Sequence, residues 1–511
     1  MTHFKRTALA SVINLALFGI PDAHADTEAL ERRIRELESR LEKLDRAGAL
    51  SAKPAVAAPE VEKLSKKVNT LERKLELQDE VTTGTLQKLP VFDAGADGFK
   101  ITSSDKKHQV RLRGAVQTDA RFFLDNNAIA TANQAGPDRF EIRQARVWLE
   151  GYFFKDIYFK IMPDFAASNI LPDAYLDYAY HPAASLLVGK FKPAISLERL
   201  QGDSDGMFLE RAFPTYLSSN RDVGIQLHGA FSKPGYKTEI VPGPIDAKNT
   251  FTYQIGVSNG SGDNGSNDKA SAPASASDNK EINGRVFAHP FQHTGYSWLE
   301  GFGLGVAGSF GNPNQQPLNT QNQKTPIGQS TYLDYTRTNT VNGVVLAAPT
   351  SNGATSRIYP QGYWYAGPFG ALGEYVISSQ HIVSGTRNVK QENRAWQIQA
   401  SYVLTGEDNT FAGVKPIRSF DPLKGNWGAL QLAARYSELD VDDSTFAIID
   451  PSKSATKAKA WTVGANWYLN SNALIRADYE NVSFNGGGGT STRVTDRPNE
   501  QIFATRFQLA F

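Results

Sequence analysis

From residue 109 to residue 511, apolar and polar positions alternate in segments of about ten residues that recur along the whole stretch. A period of two sends successive side chains to opposite faces of a strand, so each segment has one apolar and one polar face. In the first, QVRLRGAVQTDARFF, Val110, Leu112, Val116, Ala120 and Phe122 fall on one face. Gln109, Arg111, Arg113, Gln117, Asp119 and Arg121 fall on the other. A strand face with three arginines needs water beside it. Further segments include DAYLDYAY, SLLVGKF, VGIQLHGAF, TYQIGVSNG, AWQIQASYVL, GALQLAARYS and KAWTVGANWYL, about sixteen in all, an even number as in bacterial outer-membrane barrels.

The connections support the same reading. Phe154-Lys155-Asp156 and Leu469-Asn470-Ser471-Asn472 are tight, whereas 259–280, 311–354 and 440–458 are long and hydrophilic. Short turns on one side and long loops on the other are the two ends of a membrane barrel. Aromatic clusters at segment ends (Tyr152-Phe153-Phe154, Tyr363-Trp364-Tyr365, Trp467-Tyr468) suit the two interface girdles. The last segment, EQIFATRFQLAF, sets Phe503, Phe507, Leu509 and Phe511 on one face and ends on an aromatic. That pattern is similar to the recognition signal of outer-membrane barrels, and an ordinary amphipathic edge strand shares it. The expected fold class is an all-β membrane barrel over 109–511, with about 16 antiparallel strands, preceded by an N-terminal α-helical coiled-coil segment. The low mean hydropathy of −0.39 does not oppose this, because half of a barrel's residues face a wet lumen.

Before the barrel the period is different. Lys5 and Arg6, the apolar stretch Thr7 to Ile20 and Ala23-His24-Ala25 have the order of a signal peptide over 1–25; a short buried helix is the alternative. Residues 26–80 are expected to form a periplasmic coiled coil. One heptad seam runs through Leu30, Ile34, Leu37, Leu41 and Leu44, a second through Val61, Leu64, Val68, Leu71 and Leu75. A Pro/Ala linker at 47–59 separates the two blocks, and 81–108 reads as a linker to the barrel. Such short blocks need partners, or else the helix lies on the protein's own surface. The net charge of +1 gives no footprint for nucleic acid, and the absence of cysteine excludes disulfides and thiolate metal sites. No cofactor or metal is expected: His289 and His293 are separated by Pro290, and the Asp/Asn/Gly run at 259–268 reads as a soluble loop.

Several stretches, in order, carry a resemblance: FEIRQARVWLEGYFFKDIYFKIMPDF (140–165), DAYLDYAYHPAASLLVGKFKPAISLERL (173–200), FLERAF (208–213), VLTGED (403–408), GNWGALQLAARYS (425–437) and VGANWYLNSNALIRADY (463–479). They are similar to the phosphate- and pyrophosphate-selective porins of the outer membrane, porin O and porin P, over roughly 95–511. The resemblance implies a homotrimer of sixteen-stranded barrels in outer-membrane lipid, each with a loop folded into the pore, here about 191–213. It implies a passive, anion-preferring channel for phosphate, and pyrophosphate, lined by Arg121, Arg143, Lys160, Arg199 and Arg211. Arg111, Arg113 and Tyr158 are further lumen candidates. Arg199 stands at a central lysine of the strongly phosphate-selective members, Tyr158 replaces another such lysine, and Gln144 replaces a ladder arginine. The long loop at 311–354 contains only Lys324 and Arg337 as basic residues. Each lumen cation has a second reading, as the partner of Glu141, Glu150, Asp173, Glu198 or Glu210. Two other functions stay open: a general porin for small polar solutes, and a barrel-anchored tether whose coiled coil binds the cell wall or a periplasmic partner.

Overall fold

The computed structural model describes residues 32–40, 42–43, 46, 58–86, 89–124, 137–167, 169–236, 238, 249–266, 280–318, 321–335, 339–341 and 343–511. Signal segment 1–25, seam positions Leu30, Leu41 and Leu44, linker residues 47–57 and Arg337 lie outside these. The chain divides into two units, residues 1–91 with 103–106, and residues 92–102 with 107–511. In the first, residues 32–40 are helical and α1 spans Ala58–Leu86, continuing past the expected end of the coiled coil at residue 80. The seam residues Ile34 and Val68 are buried, and Leu64, Leu71 and Leu75 are half-buried. No helix among the described residues is long and apolar enough to cross a membrane.

The rest of the expected linker is not featureless. It holds a hairpin, β1 (Val91–Gly95) and β2 (Gly98–Thr102), and β2 pairs with the first barrel strand. Sixteen strands then pair in chain order: β3 (Gln109–Phe123), β4 (Arg139–Phe153), β5 (Ile157–Met162), β6 (Asp173–His181), β7 (Ala184–Phe191), β8 (Asp222–Phe231), β9 (Phe251–Ser258), β10 (Glu281–Ala288), β11 (Phe302–Gly311), β12 (Thr350–Ala366), β13 (Phe369–Ser384), β14 (Arg387–Val403), β15 (Ala429–Asp440), β16 (Ala455–Tyr468), β17 (Ala473–Thr490) and β18 (Glu500–Ala510). Every pairing is antiparallel, and β18 returns to β3 from Ile502↔Phe123 to Ala510↔Ala115, which closes the cylinder. Beyond that seam β2 takes over the edge of β3, from Phe99↔Leu112 to Thr102↔Gln109.

Polarity is inverted relative to a water-soluble core. Leu176, Leu186, Val188, Ile225, Ile255, Ile282 and Ile398 are exposed on the outside, while Asp177, Gln254, Arg285, Gln397, Arg435, Asn466 and Arg476 are buried inside. A surface of that kind is stable in hydrocarbon, where closure of the sheet pairs the backbone of its first and last strands. The turns 154–156, 182–183, 367–368 and 469–472 share one end. The connections 192–221, 259–280, 312–349 and 441–454 share the other. Four connections break the expected rule: 385–386 is tight at the long-loop end, and 232–250, 289–301 and 404–428 are long at the turn end.

The three aromatic clusters expected to furnish both girdles all lie at the turn end. There Trp364 and Trp467 each donate the indole N–H to a tryptophan carbonyl, Trp298 and Trp427, at 2.7 Å. Their neighbours Tyr363, Tyr365 and Tyr468 alternate inward and are buried. The second belt comes from pairs nearer the long-loop end, Phe122–Phe140 (6.1 Å), Trp396–Tyr436 (5.3 Å) and Trp461–Tyr479 (5.2 Å).

At the seam, Phe511 exchanges two backbone hydrogen bonds of 2.8 Å with Gly114 and meets Phe99 edge-on. A Cβ on residue 114 would sit 2.7 Å from Cζ of Phe511. Gly114→Leu is therefore expected to cost about 1–3 kcal/mol by overpacking. The check is the temperature at which the folded barrel shifts to unfolded mobility on a gel; an unchanged temperature would contradict this placement of Phe511.

Candidate pore constriction

Residues 192–221, between β7 and β8, turn into the barrel and cross its lumen. The inserted loop was expected at about 191–213; Phe191 instead ends β7, and the return arm runs on to Arg221. Near its start, α2 (Leu197–Leu200) is capped by Ser196, whose hydroxyl accepts from the Arg199 N–H. Glu374 on β13 accepts from the Leu197 N–H at 2.8 Å, and Gln397 on β14 donates to Glu198 at 2.8 Å. Ile195, Phe213 and Leu217 join Leu318, Tyr332, Leu333 and Tyr335 of connection 312–349 in one apolar cluster.

The tip of the loop is held by the far wall. Arg476 donates to the carbonyls of Gly206 and Phe208, Arg506 to that of Leu209 (2.7 Å) and Arg435 to that of Glu210 (2.7 Å). Asn466 donates to the Met207 carbonyl at 2.9 Å, and Asp478 accepts from the Leu209 N–H at 2.7 Å. Backbone groups that would face an aqueous lumen are thus satisfied by strand side chains. A tight turn at Gly202–Asp205, closed by a 3.0 Å hydrogen bond, carries Gly202 and Asp203 between the two sides of the lumen. Gly202 suits it, because a Cβ there would lie 2.1 Å from the Asp205 carboxylate.

This loop decides what each inward arginine does. Arg121, expected on the anion pathway, is walled off from it. Its guanidinium is fully buried, with Asp119 at 2.9 Å, Glu141 at 3.0 Å and Glu210 at 2.7 Å, and it also bonds the Ile327 carbonyl. Arg143 stays partly open (38%) and makes a forked pair with Glu210 at 2.5 and 3.0 Å. Lys160 pairs with Asp173 at 3.3 Å. Glu150 accepts from Tyr158 at 3.0 Å and pairs with Arg111 (2.5 Å) and Arg113 (3.6 Å). Arg211 bonds the carbonyls of Glu198 and Gln201, both at 3.1 Å, and pairs with Asp203. Arg199 differs from all of these. Its donors reach Ser218 (2.9 Å), Asn220 (2.6 Å), Asn264 (3.1 Å) and the Thr215 carbonyl, all neutral acceptors, so its charge is held in place without being cancelled.

Sequence reading did not single out Arg146, Lys192, Arg221 and Asp203. Arg143 and Arg146 are three residues apart, so strict alternation cannot send both inward. A β-bulge does: Gln117 pairs with Gln144 and Thr118 with Ile142, leaving Arg143 as the extra residue. Ile142 and Val147 consequently both face outward. Lys192 and Arg221 flank the loop, a position with no periodic signal.

The loop divides the lumen into two chambers of about 570 Å³ on the long-loop side and 530 Å³ on the turn side. Arg146, Gly202, Asp203 and Arg221 line both, so they mark the waist. The first chamber is lined by six arginines against four carboxylates, the second by seven basic against five acidic residues, an excess of two positive charges in each. At the waist, burial opposes ionisation of Asp203. Arg146, Arg211, Lys192 and Arg221 outweigh it and hold its carboxyl well below the usual range. Burial, with Arg211 and Arg221 nearby, pushes the Lys192 ammonium well below its ordinary value.

The family model for the phosphate-selective porins O and P matches residues 110–511. Porin O of Pseudomonas aeruginosa is 23% identical over 422 residues, covering 76% of this chain and 87% of that protein. Among solved structures, an anion-selective porin from Comamonas acidovorans gives a TM-score of 0.45 at 11% identity, covering 79% of this chain and 100% of that one. The trimer form of the outer membrane protein OmpT of Vibrio cholerae gives 0.44 at 11% identity, covering 79% and 99%.

Glu210 ties Arg121, Arg143 and Arg506 to the loop tip. Glu210→Gln leaves three guanidiniums short of a counter-charge and is expected to cost about 3–5 kcal/mol at the tip. Open-channel current noise in planar bilayers should rise sharply, and the folded band should be lost at lower temperature. Wild-type noise with wild-type stability would contradict the role of this pair as a strut.

Proposed function

This chain belongs to the family of phosphate-selective porins O and P, and from that premise we propose a passive, anion-preferring diffusion channel of the bacterial outer membrane for phosphate and related oxyanions, pyrophosphate included. The observation that carries the reading is the excess of positive charge in both chambers, set against a net charge of +1 for the whole chain. The potential that attracts anions is thus concentrated where a solute must pass.

In this reading Arg211 and Arg143 supply donors on the long-loop side, and Lys160, Arg111 and Arg113 supply them on the turn side. An oxyanion that sheds water at the waist regains hydrogen bonds from guanidinium forks. Arg199 acts through its field, because its donors are already bonded to neutral acceptors. Arg121 serves the loop and lies off the pathway. The barrel is taken to assemble as a homotrimer, as the family resemblance implies, with residues 26–80 in the periplasm after removal of 1–25.

Reversal potentials across a planar bilayer in a potassium chloride gradient test this. The wild type should be anion-selective. Arg199→Ala should lower the chloride-to-potassium permeability ratio roughly fivefold, the equivalent of about 1 kcal/mol. Arg113→Ala, which removes a charge already shared with Glu150, should lower it less. A cation-selective wild type, or equal effects of the two variants, would contradict the assignment.

A further inference from the structure

Asp203 sits on the second position of the tight turn at the loop tip, where four cations converge on it. Arg146 and Arg211 bond its carboxylate directly, and Lys192 and Arg221 lie 3.7 Å away. Its side chain is 8% exposed and lines both chambers. Two of these cations have wall partners of their own: Arg146 pairs with Asp164 at 2.8 Å and Arg221 with Asp173 at 3.0 Å. Both would stay in position if Asp203 moved away. Arg211 would not be compensated, since its other bonds go to the Glu198 and Gln201 carbonyls.

We propose that Asp203 is a tethered counter-anion: its carboxylate occupies the place among Arg146, Arg211 and Arg221 that a permeating oxyanion takes in passing, and so sets how weakly the waist binds. The inference rests on the anion-channel reading above. A carboxylate and a phosphate present the same kind of oxygen to a guanidinium fork. Without Asp203, an uncompensated Arg211 beside Arg146 and Arg221 would hold a dianion too well, and a channel needs exit as much as entry. A carboxylate carried on a turn meets that need. It yields to an incoming oxyanion, which takes over its hydrogen bonds, and it returns to displace the ion towards the other chamber. Asp203 is thus the residue that turns a binding site into a conducting one. Specificity for oxyanions over halides follows, because only a ligand with several acceptor oxygens replaces the carboxylate bond for bond.

The test uses the full-length wild type, Asp203→Asn and Asp203→Ser in planar bilayers, with chloride current titrated by inorganic phosphate. Both variants should bring the half-blocking phosphate concentration down about tenfold, equivalent to about 1.4 kcal/mol, and raise the chloride-to-potassium permeability ratio. An anion-selective wild type with an unchanged half-blocking concentration in the variants would overturn the tethered-anion proposal alone. A cation-selective wild type would overturn the channel reading and this proposal with it. Gel mobility at low and high temperature reports folding. If neither variant gives a folded barrel, Asp203 is a structural tie and the proposal fails.

Discussion

Guanidinium-to-carbonyl hydrogen bonds across the lumen hold this pore in shape. A sixteen-stranded cylinder encloses more space than its own side chains fill, so its bore is set by whatever crosses it. Here the crossing segment is 192–221. Its tip has no regular secondary structure to satisfy its carbonyls, and Arg435, Arg476 and Arg506 on three strands of the far wall do so instead. The same arginines could not be left unpaired in a narrow lumen without cost, so loop and wall stabilise each other. Arg121 and Glu210 complete the joint.

That arrangement separates two uses of one residue type. Arg121, Arg435 and Arg506 under the loop act as struts, and their charge is spent on Asp119, Glu141, Glu210 or Glu480. Arginines beside the open space keep part of their field, Arg199 most of all because its partners are neutral. Membership of a phosphate-selective porin family and the positive excess in both chambers then have a common physical origin. The chain places more cations than carboxylates along the two chambers of the lumen.

Much of the fold was legible in the sequence. The alternation at 109–123, the tight turns at 154–156 and 469–472 and the last strand all stand where periodicity puts them. The site was less legible, for reasons that particular residues make plain. Alternation states that Arg121 points inward, but not that Glu210, 89 residues further on, will help to bury it. A bulge at Arg143 reverses parity, and that hides Arg146 from a period-two count. Asp203 carries no local pattern; its surroundings exist only once the loop has crossed the barrel. The hairpin at 91–102 was missed because two short strands give too few periods to stand out from a linker.

The central claim, that the tip of 192–221 lies across the conducting path, is tested most directly by a single thiol. The chain has no cysteine, so Ser204→Cys creates one unique site on the turn beside the waist. A bulky, charged thiol-specific reagent added to either side of a planar bilayer should reduce the current of this variant almost to nothing, and should leave the wild type unaffected. A Ser204→Cys channel that is labelled to completion yet conducts as before would contradict the account.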